Sequence, residues 1–206
     1  MSEIVTLSGP SGSGKTTTAR ALLTELPGTR MIPSHTTREA RESDLPGEYR
    51  YLSNEQFDQL MRDGAFLWHA QPHGSTRYGT LASDIDEICD DPMAIGIMIL
   101  VPDIVQTLHD YVWKRHRSRT RVCSFYIQQH NEELLRERLR ERGWKDDLIA
   151  ERLTAEADWH VNALDLNNGF EYIQGGSTLA DLPDVVGQIV GFTQIDLSMY
   201  KHGAAP

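Results

Sequence analysis

Apolar and polar residues fall along this chain in blocks that read in turn as strand, turn and helix. Ile4 to Ser8 is a short β-rich run that ends in Gly9-Pro10-Ser11-Gly12-Ser13-Gly14, and a helical stretch follows from Lys15 to Leu26. Ala19, Leu22, Leu23 and Leu26 share one face of that helix, and Pro27-Gly28 predicts its end. Helical spacing recurs over Asn54 to Asp63, with Phe57, Leu60 and Met61 inward, and over Leu81 to Cys89. Ala94 to Val101 and Arg121 to Ile127 are buried-strand patterns separated by a helix over Ile104 to Trp113, which makes a βαβ unit. Glu132 to Arg142 is helical with Leu134, Leu135 and Leu139 inward. Asp147 to Leu164 predicts another helix, Phe170 to Gln174 a last strand and Leu182 to Phe192 a closing helix, with a disordered tail over Lys201 to Pro206. The polar stretch from Ser34 to Arg50 has no helical period, and a segment of that length in a compact domain is usually a binding region. This alternation predicts an α/β domain with a parallel core sheet flanked by helices.

Gly9-Pro10-Ser11-Gly12-Ser13-Gly14-Lys15-Thr16 fits the pattern G-x-x-x-x-G-K-[ST] between a strand and a helix. Glycines let successive backbone N–H groups turn inward around phosphate oxygens, in conformations a side chain would obstruct. The helix adds its N-terminal dipole, Lys15 reaches the β- and γ-phosphates, and the Thr16 hydroxyl is suited to Mg²⁺. Gly9, Ser11, Gly12, Ser13, Gly14, Lys15, Thr16 and Thr17 are therefore the expected nucleotide-binding residues. The motif alone leaves kinase, GTPase and ATPase open.

Composition narrows the setting. The 206 residues suit one domain, and no apolar run approaches a membrane span. Twenty basic against thirty acidic residues give a net charge of -10, which disfavours non-specific binding to nucleic acid. The basic cluster Lys114-Arg115-His116-Arg117 with Arg119 and Arg121 accordingly reads as a solvated helix end. Cys89 and Cys123 share no metal or redox spacing, and the N-terminus runs straight into a strand, so a cytoplasmic protein without a leader is expected.

Ser34-His35-Thr36-Thr37-Arg38-Glu39-Ala40-Arg41 precedes Gly47-Glu48-Tyr49 and, later, Tyr78-Gly79-Thr80. Two arginines three apart beside tyrosines suit a dianionic phosphate, since guanidinium forks pair bidentately and phenols add neutral donors. In order and spacing these motifs, with the glycine loop, resemble the guanylate kinase family. The resemblance continues through Arg138-Leu139-Arg140-Glu141-Arg142-Gly143 and Glu151-Arg152-Leu153. It implies a P-loop NTPase fold with an acceptor-binding insertion over 34–80, a lid over about 138–152 and the core in 1–33, 81–137 and 153–200. It also implies that Ser34, Arg38, Arg41, Tyr49 and Tyr78 grip the acceptor monophosphate or its base, while Arg138, Arg142 and Arg152 close over the transferring phosphoryl group.

The departures are informative. The family reads guanine partly with a glutamate placed just before a tryptophan, upstream of Tyr-Gly-Thr, and here Phe66-Leu67-Trp68-His69-Ala70 places Trp68 where that glutamate would be. An indole only donates, so it cannot accept two guanine N–H groups. The family's Leu-Asp-Ile-Asp becomes Leu100-Val101-Pro102-Asp103, so that only Asp103 keeps a carboxylate. Trp68, Thr80 and Asp103 join the expected acceptor site. The reading is an ATP- and Mg²⁺-dependent kinase of a nucleoside monophosphate, acting as a monomer or homodimer on a small phosphate acceptor. Trp-His-Ala followed by Tyr-Gly also resembles the ribose bisphosphate phosphokinases of phosphonate metabolism, which is one alternative. A non-catalytic guanylate-kinase-like binding module is the other, and the intact Lys15-Thr16 argues against it.

Overall fold

A computed structural model describes residues 1–26, 28–42, 44–73, 75–164 and 169–193. The elements run β1 (Ser2–Ser8), α1 (Lys15–Glu25), β2 (Thr29–Met31), β3 (Ser34–Thr36), β4 (Tyr49–Tyr51), α2 (Asn54–Arg62), β5 (Phe66–His73), β6 (Thr76–Leu81) and α3 (Ala82–Cys89). They continue with β7 (Ile95–Ile99), α4 (Pro102–Arg115), β8 (Thr120–Gln128), α5 (Glu132–Glu141), α6 (Asp146–Leu164), β9 (Phe170–Gln174) and α7 (Leu182–Phe192). Five strands form the core sheet in the order β2-β7-β1-β8-β9, with β2 parallel to β7 and β8 parallel to β9. All of β1 is buried, the polar Ser2, Glu3, Thr6 and Ser8 included, as befits a strand covered on both faces. Among the described residues no helix is long and apolar enough to cross a membrane.

The chain divides into two compact units, one comprising Met1–Val5, Gly28–Met98 and Gln106–Val122, the other Thr6–Pro27, Ile99–Val105 and Cys123 onward. The first unit contains a second sheet, ordered β4-β3-β6-β5. Its register pairs Ser34 with Tyr49, Thr36 with Tyr51 and Tyr78, Ala70 with Tyr78, and Trp68 with Thr80. Paired residues point to the same side of a sheet and alternate residues share a face, so these side chains lie together on one face. His35, Arg50, His69, Gly79 and Leu81 belong to the other. A register shift between Phe66 and Trp68 matters here: two apart, they would share a face, but the extra residue turns Phe66 to the opposite one. There its ring meets Phe57 of α2 at 4.6 Å and His35 at 6.1 Å. The α2 helix is anchored by a capping box between Ser53 and Gln56.

In the second unit α1 packs against α7, α5 against α6 and α7 against β9. Leu22, Phe125, Ile127, Leu139, Ile149 and Ile189 are buried among its core residues.

The expected helices all form, within two residues of their expected bounds at most ends. The stretch from Ser34 to Arg50 is not wholly irregular: it contains β3 and the start of β4. Together with β2, β5 and β6, these strands lack a sequence signal because three-residue strands carry no period and β5 is interrupted by two register shifts. The expected tail over 201–206 and the stop at Pro27 lie outside the described residues.

Candidate active site

The phosphate loop is shaped by three glycines at positive φ: Gly9 at 140°, Gly12 at 86° and Gly14 at 102°. Gly9 is the tightest, since a Cβ there would come 2.5 Å from the Ile127 carbonyl oxygen. Gly14 is the residue before α1, a helix with no side-chain cap and no acidic residue in its first turn. Its leading N–H groups and the positive end of its dipole are thus left to a ligand anion. Lys15 turns its ammonium back to the Gly9 and Pro10 carbonyls at 2.7 and 2.8 Å. Burial lowers the Lys15 pKa from 10.5 to about 8; Glu156 opposes the shift, and Arg152 and Arg142 add to it. Three cations meet there against the single carboxylate of Glu156, an excess of positive charge that a polyphosphate offsets. Thr16 and Thr17 follow in the first turn of α1, both half-buried, and Ser13 is buried. No group of three or more His, Cys, Asp or Glu able to hold a metal occurs among the described residues. Mg²⁺ retains most of its waters and binds through substrate phosphates, so a single loop hydroxyl such as Thr16 fits it.

The three expected arginines of the second unit all come to this loop or its cleft. Arg138 donates to the Gly12 carbonyl and to the Gly176 and Ser177 carbonyls, each at 2.9 Å, which ties the phosphate loop to the turn after β9. Arg138 and Arg142 line one cleft of about 440 Å³ with Gly12, Gly14, Thr17 and Gly176. Arg142 is the C-cap of α5 and not a member of its last helical turn. Arg152, on α6, donates through Nε to Ser11 Oγ at 3.2 Å and to Glu156.

In the first unit five of the expected acceptor residues lie on one face of the second sheet. Ser34, Tyr49, Tyr78, Thr80 and Trp68 share it by register, and the Tyr49 and Tyr78 rings lie 6.4 Å apart. The Arg38 guanidinium stacks 4.6 Å from the Tyr49 ring centre and pairs with Asp44 at 2.9 Å. Tyr51 donates to the same carboxylate at 2.6 Å, which is held below the usual range despite its burial by bonds from Tyr51, the Arg41 amide and Arg38. The Arg41 side chain is exposed, and its amide donates to Asp44 at 2.8 Å. Thr80 is fully buried, and neither its hydroxyl nor the Trp68 Nε1–H has a hydrogen-bond partner. Asp103 belongs to the other unit, exposed in the first turn of α4.

A family model described as guanylate kinase matches residues 1–182. The chain belongs to the guanylate kinase family. It is 31% identical over 171 residues to the guanylate kinase of Helicobacter pylori strain ATCC 700392 / 26695, a match covering 82% of this chain and 77% of that protein. Identity with the guanylate kinase of Thiobacillus denitrificans is 32% over 173 residues, covering 81% and 78%. Among solved structures, the guanylate kinase from Anaplasma phagocytophilum shares the fold, with a TM-score of 0.61 at 21% identity over 92% of this chain and 85% of that one. This guanylate kinase family member is accordingly an ATP-dependent phosphotransferase of the nucleoside monophosphate kinase type, with ATP and Mg²⁺ as its cofactors.

Sequence reasoning missed three groups in this family member's sites. Asp44 was one polar residue among many in its loop, with nothing to mark it as the partner of Arg38. Gly175 and Gly176 follow β9 closely, and a Cβ at Gly175 would meet the Gln128 carbonyl at 2.7 Å. Their signal was a glycine pair at a strand end. Glu156 stands four residues after Arg152, which reads as an ordinary helical ion pair, yet its carboxylate also reaches Ser11.

Proposed function

We propose that this kinase transfers the γ-phosphoryl group of ATP to a nucleoside monophosphate whose base is not read by a carboxylate, so that GMP is an unexceptional acceptor. The observation that carries the reading is the pairing of Trp68 with Thr80 on the face shared by Ser34, Tyr49 and Tyr78. No acidic side chain stands on that face of the strands, and the nearby Asp44 and Glu48 are engaged, Asp44 with Arg38 and Tyr51, Glu48 with the Leu45 amide at 2.9 Å. Guanine offers N1–H and N2–H₂ as donors, whereas Trp68 brings a further donor and an apolar ring.

In this reading Arg38, Arg41, Tyr49 and Tyr78 hold the acceptor phosphate, and Ser34, Trp68 and Thr80 face its base. Lys15 and the phosphate-loop amides hold the donor phosphates, Thr16 holds Mg²⁺, and Arg138, Arg142 and Arg152 neutralise charge on the transferring group. The bound Mg²⁺ would supply charge neutralisation across the phosphates. No protein nucleophile is needed, because an oxygen of the acceptor phosphate attacks.

A coupled ADP-release screen over all ribo- and deoxyribonucleoside monophosphates and ribose bisphosphate tests the proposal. The expected result is a nucleoside monophosphate other than GMP with the highest kcat/KM. GMP ahead of every other acceptor by a hundredfold or more, on the order of 3 kcal/mol, would overturn it.

A further inference from the structure

Glu156 is a carboxylate buried against the phosphate loop, with only 3% of the residue exposed. One of its oxygens accepts from the Ser11 backbone N–H at 2.7 Å; the other accepts from Ser11 Oγ at 2.7 Å and from Arg152 Nε. All three donors belong to groups that an incoming polyphosphate would use: an amide and a hydroxyl of the phosphate loop, and an arginine beside it. A buried carboxylate with several charge-assisted bonds is firmly held, and two bound anions cannot share one set of donors without strong repulsion.

We infer that Glu156 is a positioning residue for nucleotide entry: its carboxylate stands in for a phosphate on Ser11 and Arg152 in the nucleotide-free protein, and ATP takes these donors over from it. The exchange does two things. It keeps the loop and Arg152 ordered and partly neutralised while no nucleotide is bound, consistent with the influence of Glu156 on the buried Lys15. It also releases Arg152 toward the phosphoryl groups only when ATP has displaced the carboxylate, at the expense of ATP affinity. The inference rests on nucleotide binding at this loop.

Glu156→Gln keeps the shape and removes the charge, so the competing anion is weakened. Titration calorimetry of the full chain with ATP, ADP and pyrophosphate should give affinities about tenfold tighter than wild type. The thermal shift produced by saturating ATP should grow in parallel, KM for ATP should fall, and KM for the phosphate acceptor should stay unchanged. A merely structural glutamate would lower the melting temperature of free and bound protein alike without tightening binding. Equal or weaker affinity of E156Q for ATP and pyrophosphate would therefore overturn the inference. Wild-type protein that bound neither ligand would instead overturn the nucleotide-site reading beneath it. Should E156Q fail to fold, the Arg152 Nε–H resonance of the wild-type protein decides: a clear shift on adding ATP supports the exchange, and an unmoved signal refutes it.

Discussion

Arg38 is held by Asp44, its Nη2 donating to both carboxylate oxygens at 2.9 Å while the guanidinium plane lies over the Tyr49 ring. Both partners are largely buried, with side-chain exposures of 10% and 13%. The pair thus fixes a cation on the acceptor face before any ligand arrives, which reduces the ordering cost of phosphate binding. On the donor side Glu156 likewise holds Arg152 in place while no nucleotide is bound. Each of these two arginines has a carboxylate partner that sets its position.

Arg38→Ala should weaken binding of the preferred acceptor by about 1.5–3 kcal/mol, the range for hydrogen bonds to a charged group. It also leaves Asp44 with an uncompensated charge, so some loss of stability should accompany it. ATP affinity, set by residues of the other unit, should hardly change. Calorimetric titrations with both ligands check this, and an equal fall in ATP affinity would dissolve the division into donor and acceptor sites.

Much of this arrangement was legible in the chain. The phosphate loop is a local motif: Gly9, Gly14, Lys15 and Thr16 need only their neighbours to take shape, and they do so between a strand and a helix. The arginine positions were legible for a weaker reason, as motif spacing, which is why Arg138 and Arg152 were foreseen but their partners were not. The Gly176 carbonyl and the Glu156 contact with Ser11 are separated from their partners by 38 and 145 residues, and no local pattern encodes such pairs. The face shared by Ser34, Tyr49, Trp68 and Thr80 depends on strand register, including the shift at Phe66 and Trp68. Side-chain alternation could not give it from sequence, since one inserted residue reverses every side chain beyond it.

Lys15→Ala should leave the fold intact and lower kcat by at least about a hundredfold, because it removes a charge that stabilises the transferring phosphoryl group. The wild-type residue also predicts a pH effect. With the free-state pKa near 8, Lys15 is charged below that pH and mostly neutral above it. Bound polyphosphate restores the charge, so nucleotide binding should take up a proton above pH 8 and none near pH 6.5. ATP affinity should then fall by up to about tenfold per unit of pH beyond 8. Calorimetry in buffers of different ionisation enthalpy measures the uptake, and its absence at pH 9 would contradict the assignment.

His35 predicts an acid limb in stability. It is 3% exposed, and burial, with the Arg50 charge adding, lowers its pKa from 6.5 to about 4. The imidazole is therefore neutral at pH 7, and its 3.6 Å approach to Asp84 is not an ion pair. The unfolded chain binds the proton first as pH falls, so the stabilisation is complete above pH 6.5 and is lost on descending to pH 4. The loss amounts to at most about 3 kcal/mol. Asp84, whose pKa burial pushes up, changes stability in the opposite sense at the low end of this window. Urea unfolding of wild type and His35→Gln at pH 7 and pH 4.5 isolates the histidine: the variant should lose less stability between the two, and equal losses would refute the account.

The base-reading face offers a gain-of-function test. Trp68 is opposite Thr80 on the face to which the proposed function assigns the base, and an indole has no acceptor to offer guanine, so replacing it with a carboxylate should change which base is preferred. A glutamate there would reach the same face as Ser34 and Thr80, and it could accept from both guanine N1–H and N2–H₂. Trp68→Glu should therefore raise kcat/KM for GMP relative to the acceptor preferred by wild type, by about tenfold to a hundredfold. That range follows from one or two charge-assisted hydrogen bonds offset by the packing lost with the indole. A second effect checks that the change is local: ATP affinity should stay constant, since no residue of the phosphate loop is touched. Competition between GMP and the preferred acceptor, followed by product analysis, gives the ratio directly. An unchanged ratio in a folded, active variant would mean that Trp68 does not face the base, and the low rank expected for GMP would then need another cause.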